Sequence, residues 1–195
     1  MSLGIFTKQG HPMPPKKYKF VLHLSLIVSV TMIGCFTPKK MSTESVPAVG
    51  DLDITRYAGT WYEIARLPHS FEKNLERVTA TYTLQDDGNI EVVNRGFKSK
   101  KGEWKSIKGK AWIPDPAVPA RLKVKFFWFF SSEYKVIDLD SENYTYAMVT
   151  SSSRKYLWIL SRTPGINETL YTRLVRKAQD LGFDMEKLYR VQHTR

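Results

Sequence analysis

The chain has 195 residues, 42% of them hydrophobic and 25% charged, which suits one globular core and excludes a disordered or collagen-like chain. The 30 Lys and Arg against 19 Asp and Glu leave a net charge of +11, so nucleic acid, an anionic membrane surface and a plain basic exterior must be told apart. A single cysteine excludes a disulfide framework, a C-x-x-C redox pair and any zinc site with two thiolates, while 13% aromatic residues favour strands and apolar pockets over a helical bundle.

Lys16, Lys17 and Lys19 precede the apolar stretch Phe20–Gly34, 15 residues broken by His23. This is a positive n-region followed by the h-region of a signal peptide, shorter than the ~20 residues of a spanning helix. The run ends in Met32-Ile33-Gly34-Cys35, which resembles the lipobox at which bacteria attach diacylglycerol to cysteine and cleave before it, with Met32 in place of the more usual Leu. A lipoprotein signal over 1–34 and lipidation of Cys35 are therefore expected, which would also account for the lone thiol. Met13 is a second candidate start. Phe36 occupies the place where Asp would retain a lipoprotein in the inner membrane, so a periplasm-facing anchor in the outer membrane is expected. Loss of 1–34 removes Lys8, Lys16, Lys17 and Lys19 and no acid, so the basic excess falls by four and persists. With Pro38, Lys39, Lys40, Ser42, Thr43, Ser45, Pro47 and Gly50, residues 35–52 read as the lipidated cysteine and a flexible tether, and 53–195 as the folded domain.

Eight β-rich runs follow: Thr60–Arg66, Arg77–Leu84, Ile90–Phe97, Glu103–Ile113, Arg121–Phe127, Glu133–Leu139, Tyr144–Thr150 and Tyr156–Arg162. Asp86-Asp87-Gly88-Asn89, Lys100-Lys101-Gly102, the 138–143 segment and Ser151-Ser152-Ser153 are turn signals, so sequential antiparallel pairing in a barrel or sandwich is expected. Leu67–Glu76 is the one long early connection, and such loops are commonly functional. Leu122, Val124 and Phe126 alternate with Arg121, Lys123 and Lys125, placing charge on the outer face of that strand. In the last run Leu157 and Ile159 are apolar between Tyr156, Trp158 and Leu160, which requires an outer cover. Asn167–Leu181 supplies it, with Leu170, Leu174, Val175, Ala178 and Leu181 on one helical face, Asn167 as cap and Gly182 as terminator. Residues 189–192 read as a short last strand.

Gly59-Thr60-Trp61-Tyr62 resembles the G-x-W signature that opens the first strand of the lipocalins, and Leu157-Trp158-Ile159-Leu160-Ser161-Arg162-Thr163-Pro164 resembles their Arg-bearing third signature. The likeness covers about Asp53 to Gln192 and is greatest to the bacterial outer-membrane lipoprotein lipocalins. The middle signature is degenerate here, as Ser141-Glu142-Asn143-Tyr144. The resemblance implies an all-β, eight-stranded up-and-down antiparallel barrel with one C-terminal α-helix packed outside. It further implies Trp61 packed against Arg162 at the closed end beside Gly59. It also implies a fatty acid or lysophospholipid as ligand, bound for storage or transport, with a role in envelope maintenance or stress.

A two-residue period started at Trp61 points Glu63 and Ala65 inward. Applied to the other strands it gives Val92, Asn94, Ile107, Leu122, Val124, Phe126, Tyr134, Val136, Ala147, Tyr156 and Trp158 as lining, either a ligand cup or a filled core. Glu63 and Asn94 are the candidate polar contacts, with Arg66 or the Phe71 loop at the mouth. No H-E-x-x-H, G-x-S-x-G, Walker or G-x-G-x-x-G motif is present, so no catalytic residue, metal or cofactor is assigned, and an enzyme would need an unorthodox base such as Glu63. His69 and His193 lack companions at ligand spacing and read as solvated. The basic run Lys98–Lys110 reads as a solvated hairpin or a contact for lipid headgroups, and nucleic acid is not expected after export. The oligomeric state stays open, a homodimer among the options, as does a filled barrel acting as an envelope interaction module.

Overall fold

The computed structural model describes residues 41–127 and 130–193, which lie in a compact unit running from Thr37 to the C-terminus with its own closed sheet and cores. The signal segment and Cys35 fall outside the described residues. A short helix α1 (Ile54–Tyr57), with Asp53 Oδ1 accepting from the Thr55 and Arg56 amides, leads into the sheet. Its strands are β1 (Gly59–Arg66), β2 (Leu75–Leu84), β3 (Ile90–Lys98), β4 (Glu103–Trp112), β5 (Arg121–Phe127), β6 (Phe130–Leu139), β7 (Tyr146–Thr150) and β8 (Leu157–Ser161). Helix α2 (Glu168–Asp180) and strand β9 (Tyr189–Arg190) follow. Each of β1–β8 pairs antiparallel with its sequence neighbour, and β1 pairs with both β2 and β8, which closes the barrel. Strand β9 pairs with the mouth half of β1, and the Arg77 amide reaches Gln192 O at 2.8 Å, so the C-terminal segment fills the wall between β1 and β2.

Two apolar clusters hold the fold. Inside the barrel Trp61, Tyr57, Tyr82, Val92, Leu122, Val136 and Ala147 pack together. Outside, Leu174 and Ala178 of α2 cover Ile64, Met148, Leu157 and Ile159, so the apolar outer face of β8 has the cover its sequence required. Asn167 Oδ1 accepts from the Thr169 and Leu170 amides at 2.9 and 3.2 Å, and Gly182 at φ +83 ends the helix in the left-handed conformation that glycine tolerates. Arg173 and Lys177 then reach Asp138 on β6 at 3.2 and 3.1 Å.

The expectation of a flexible tether through residue 52 is corrected for its described part. Thr43, Val46 and Leu52 are buried, and the Thr43 amide bonds to Ser152 O at 3.2 Å. Lys135 has no exposed surface at all. Its Nζ donates to Thr43 O at 2.8 Å and lies 3.7 Å from Glu133, while burial pushes its pKa down. A lysine on an outward strand position is thus converted into the peg for a distant segment. Lys135→Met keeps the volume but leaves Thr43 O without its charged donor, a loss of about 2 kcal/mol. Hydrogen exchange of the 43–49 amides should accelerate before that of β1–β8; uniform exchange across both would remove Lys135 from this role.

Candidate functional site

The barrel has a filled half and an open half. At the closed end Arg162 stacks over Trp61, its Cζ 3.8 Å from the ring centroid, and donates to the carbonyl oxygens of Arg56, Tyr57, Ala58, Thr60 and Tyr144 at 2.7–3.2 Å. Trp61 Nε1 donates to Tyr57 O at 2.8 Å. Gly59, at φ +97, leaves only 3.3 Å between a would-be Cβ and Arg162 Nη1, so a side chain there would meet both backbone strain and the guanidinium.

Above this plug three tyrosine hydroxyls meet. Tyr134 Oη lies 2.6 Å from Tyr57 Oη and accepts from Tyr82 Oη at 2.9 Å. Burial pushes all three phenols above their usual range, so they remain neutral and form a polar floor. Val92, Val124 and Val136 fill the space around it.

Toward the other end the inward-facing side chains are reached by solvent. Ile107 on β4 is 36% exposed although it shares a face with the fully buried Ala111. Asn94, Phe126 and Trp158 are half-buried. Gly109 lets Phe126 cross the interior: a Cβ there would sit 2.6 Å from the Phe126 ring and 2.7 Å from Lys125 O. Among the described residues the β4–β5 ladder joins only Lys110–Trp112 to Lys123–Lys125, so the wall is least tied beside Ile107. Asn94 Oδ1 is buried and has no hydrogen-bond partner among the described residues, which makes it an acceptor available to a ligand donor.

One side of the cup carries a charged network. Arg66 Nη1 donates to Glu63 Oε1 at 2.5 Å, and Nη2 to Glu72 O and Leu75 O at 2.9 and 3.0 Å. Glu72, on a 3-10 turn (Ser70–Glu72), accepts from Trp158 Nε1 at 3.2 Å, and His69 Nε2 lies 2.9 Å from its carboxylate. Burial, then the nearby Glu72 charge, push the Glu63 carboxyl well above its usual range. Burial raises Glu72 too, but His69, Trp158 and Arg66 outweigh it and hold that carboxyl below its usual range. Of the two carboxyls, Glu63 is thus the one that takes up a proton more readily. The long first loop is anchored into the barrel by this network, with the Phe71 ring stacked on His69 at 3.8 Å and exposed at the rim.

The structure corrects three readings of the sequence. Ala65 does not line the cup: the β1–β8 register shifts between Glu63 and Ala65, so Ile64 and Ala65 both pack outward under α2 and Arg66 takes the inward place. His69 is not solvated but buried beside Glu72, and His193 Nε2 lies 2.8 Å from Glu63 O. Tyr156 stands just before β8, its ring parallel to Trp158 at 6.1 Å. Sequence reading missed Tyr57, Tyr82 and Glu72. Alternation along β2, where Ala80 sits opposite Trp61, would have turned Tyr82 inward, whereas nothing local marks Glu72. Among the described residues no three His, Cys, Asp or Glu side chains converge as a metal site.

A closed eight-stranded wall, an outer helix and an Arg-on-Trp plug are what the signatures implied, and comparison with known proteins supplies the deciding observation. The family described as a lipocalin-like domain matches residues 52–193. The chain belongs to the lipocalin family. This lipocalin is 42% identical over 167 residues to the outer membrane lipoprotein Blc of Vibrio cholerae, spanning 86% of the chain and 95% of that relative. It is 43% identical over 173 residues to the protein of that name in Escherichia coli K12, spanning 87% and 96%. Insecticyanin of the tobacco hornworm Manduca sexta shares the fold with a TM-score of 0.62 at 22% identity, over 76% of this chain and 85% of that one.

Proposed function

We propose that this lipocalin is anchored to the outer membrane through Cys35, faces the periplasm, and holds one fatty acid or lysophospholipid for storage or transport in envelope maintenance. The observation that carries this reading is the solvent-reached half of the barrel above a closed tyrosine floor, bounded by Ile107, Phe126 and Trp158, with the Asn94 Oδ1 acceptor unpaired among the described residues. Apolar walls bury an acyl chain at about 25 cal/mol per Å², and Asn94 Oδ1 accepts from a hydroxyl or protonated carboxyl of the head. The outer-membrane names of the relatives support the location. Glu63 is already engaged by Arg66, which favours binding over turnover.

Native mass spectrometry of the unit from Thr37 onward, offered a total bacterial lipid extract, tests the proposal. The expected spectrum shows one monoacyl lipid per chain, and it also reads one chain or two in the assembly. Ile107→Trp places an indole in the open half and should cut lipid occupancy about tenfold or more, with the melting temperature unchanged because Ile107 is part-exposed. A folded unit that stays empty across the extract would move the reading to a filled interaction module.

A further inference from the structure

The connections at the two ends of the barrel differ in charge, which no single strand reveals, although the exposed Arg56 lies against the Ser141 and Glu142 carbonyls at the closed end and Lys110 reaches Asp87 there. Antiparallel order gathers the β2–β3, β4–β5 and β6–β7 turns at the closed end and the β1–β2, β3–β4, β5–β6 and β7–β8 connections at the mouth. The closed-end turns hold Asp86, Asp87, Asp115, Asp140 and Glu142 and neither Lys nor Arg. The mouth connections hold Lys73, Lys100, Lys101 and Lys155, all exposed, while their one acid, Glu72, is buried against Arg66. The same rim displays the most exposed large apolar side chains of the described residues: Phe71, Phe127 and Phe130 at 63%, 61% and 67%. The chain between the last two reads Trp128-Phe129, outside the described residues.

Phenyl rings this exposed cost free energy in water and gain it in the boundary between headgroups and acyl chains. Lysines around them are attracted to anionic headgroups, each by about fivefold in affinity close to the surface. The far-end turns carry no lysine or arginine of their own, so attraction is strongest at the mouth and favours that orientation. We infer that the mouth is a docking face for an anionic phospholipid bilayer, with Phe71, Phe127 and Phe130 entering the interface and the four lysines on the headgroups. In that pose the open half of the barrel faces the bilayer, and a lipid passes between membrane and cup without crossing water. The inference goes beyond ligand binding: a rim can dock whether or not the cup is filled.

Flotation of the unit from Thr37 onward, which lacks Cys35, is the test, with phosphatidylcholine vesicles compared with vesicles containing about one third phosphatidylglycerol. Binding is expected to the second and not the first, and to fall as salt screens the headgroups over about 8 Å. Lys100→Glu with Lys101→Glu should weaken it at least about 25-fold. Phe127→Ser with Phe130→Ser should weaken it about tenfold, and Asp86→Lys at the far end should leave it unweakened. These side chains are exposed, and far-UV circular dichroism together with an unchanged melting temperature confirms the fold of each variant. Equal flotation with both vesicles, no effect of the Phe pair, or an effect of that pair only on self-association in ultracentrifugation would overturn the inference. Lipid uptake that survives such a result leaves the ligand reading standing by itself.

Discussion

Arg162→Ala should lower the free energy of unfolding by about 3–5 kcal/mol and the melting temperature by about 10 °C. The guanidinium ties together the carbonyls of Arg56 and Tyr57 in α1, of Ala58 and Thr60 at the entry to β1, and of Tyr144 in the turn before β7. Truncation removes a charged donor from five acceptors and strips the cation from the face of Trp61. Arg162→Lys discriminates between charge and shape. An ammonium cannot lie flat on the indole or span carbonyls on both sides of it, so lysine should recover less than half of the loss. Thermal and urea unfolding measure both variants. Wild-type stability for the lysine variant would reduce the plug to a simple charge effect. Lipid occupancy of folded Arg162→Ala protein should change little, because the tyrosine floor separates this end from the open half.

Arg66→Met should cost a comparable 3–5 kcal/mol at neutral pH, and its effect should depend on pH. Without the guanidinium, Glu63 and Glu72 remain buried together with no cation between them. In the wild-type protein the two carboxyls shift in opposite directions. Glu63, raised, contributes stability present below its unfolded pKa and lost as pH rises through its folded value. Glu72, lowered, contributes stability present above its unfolded pKa and lost as pH falls through its folded value. Stability carried by this network is therefore greatest between those two folded values. Removing Arg66 withdraws a charge that favours ionisation, raising both carboxyls, so the Arg66→Met protein should regain melting temperature on acidification from neutral pH. Adding Glu63→Gln deletes one of the two acids and should restore part of the stability at neutral pH while flattening the pH profile. A double-mutant cycle over Arg66 and Glu63 measures their coupling directly. Equal losses at pH 5 and pH 8 would show that the cost of Arg66→Met is packing alone.

The strand pattern was legible because a half-buried strand must alternate, and Arg121–Phe127 does so with a charge at every outward place. Its bounds in the structure are those read from the pattern. The helix was legible from its cap and terminator, and the structure places Asn167 and Gly182 at those points. Tyr146–Thr150 is shorter than the run that began at Tyr144, because the Asp140 carboxylate binds the Asn143 and Thr145 amides and Tyr144 adopts φ +54, a turn rather than a strand. The cup was legible only in part. Val92, Asn94, Val124, Phe126, Tyr134, Val136 and Trp158 face the interior as alternation required, but alternation cannot say which fill it and which line an opening.

Sequence alone determined the things set by local chemistry, the strands and the capped helix, and its two signatures carried the family resemblance that implied the pairing of Trp61 with Arg162. Tertiary structure decided what depends on residues far apart in the chain. A bulge turned Ala65 outward and Arg66 inward. A loop folded back to bury His69 and Glu72. The 43–46 segment closed over Lys135, and the topology gathered the connections that hold Lys73, Lys100, Lys101 and Lys155 at one end and the acidic turns at the other. Burial and electric field are sums over neighbours in space, and a period read along one strand contains no information about which distant side chains those neighbours will be.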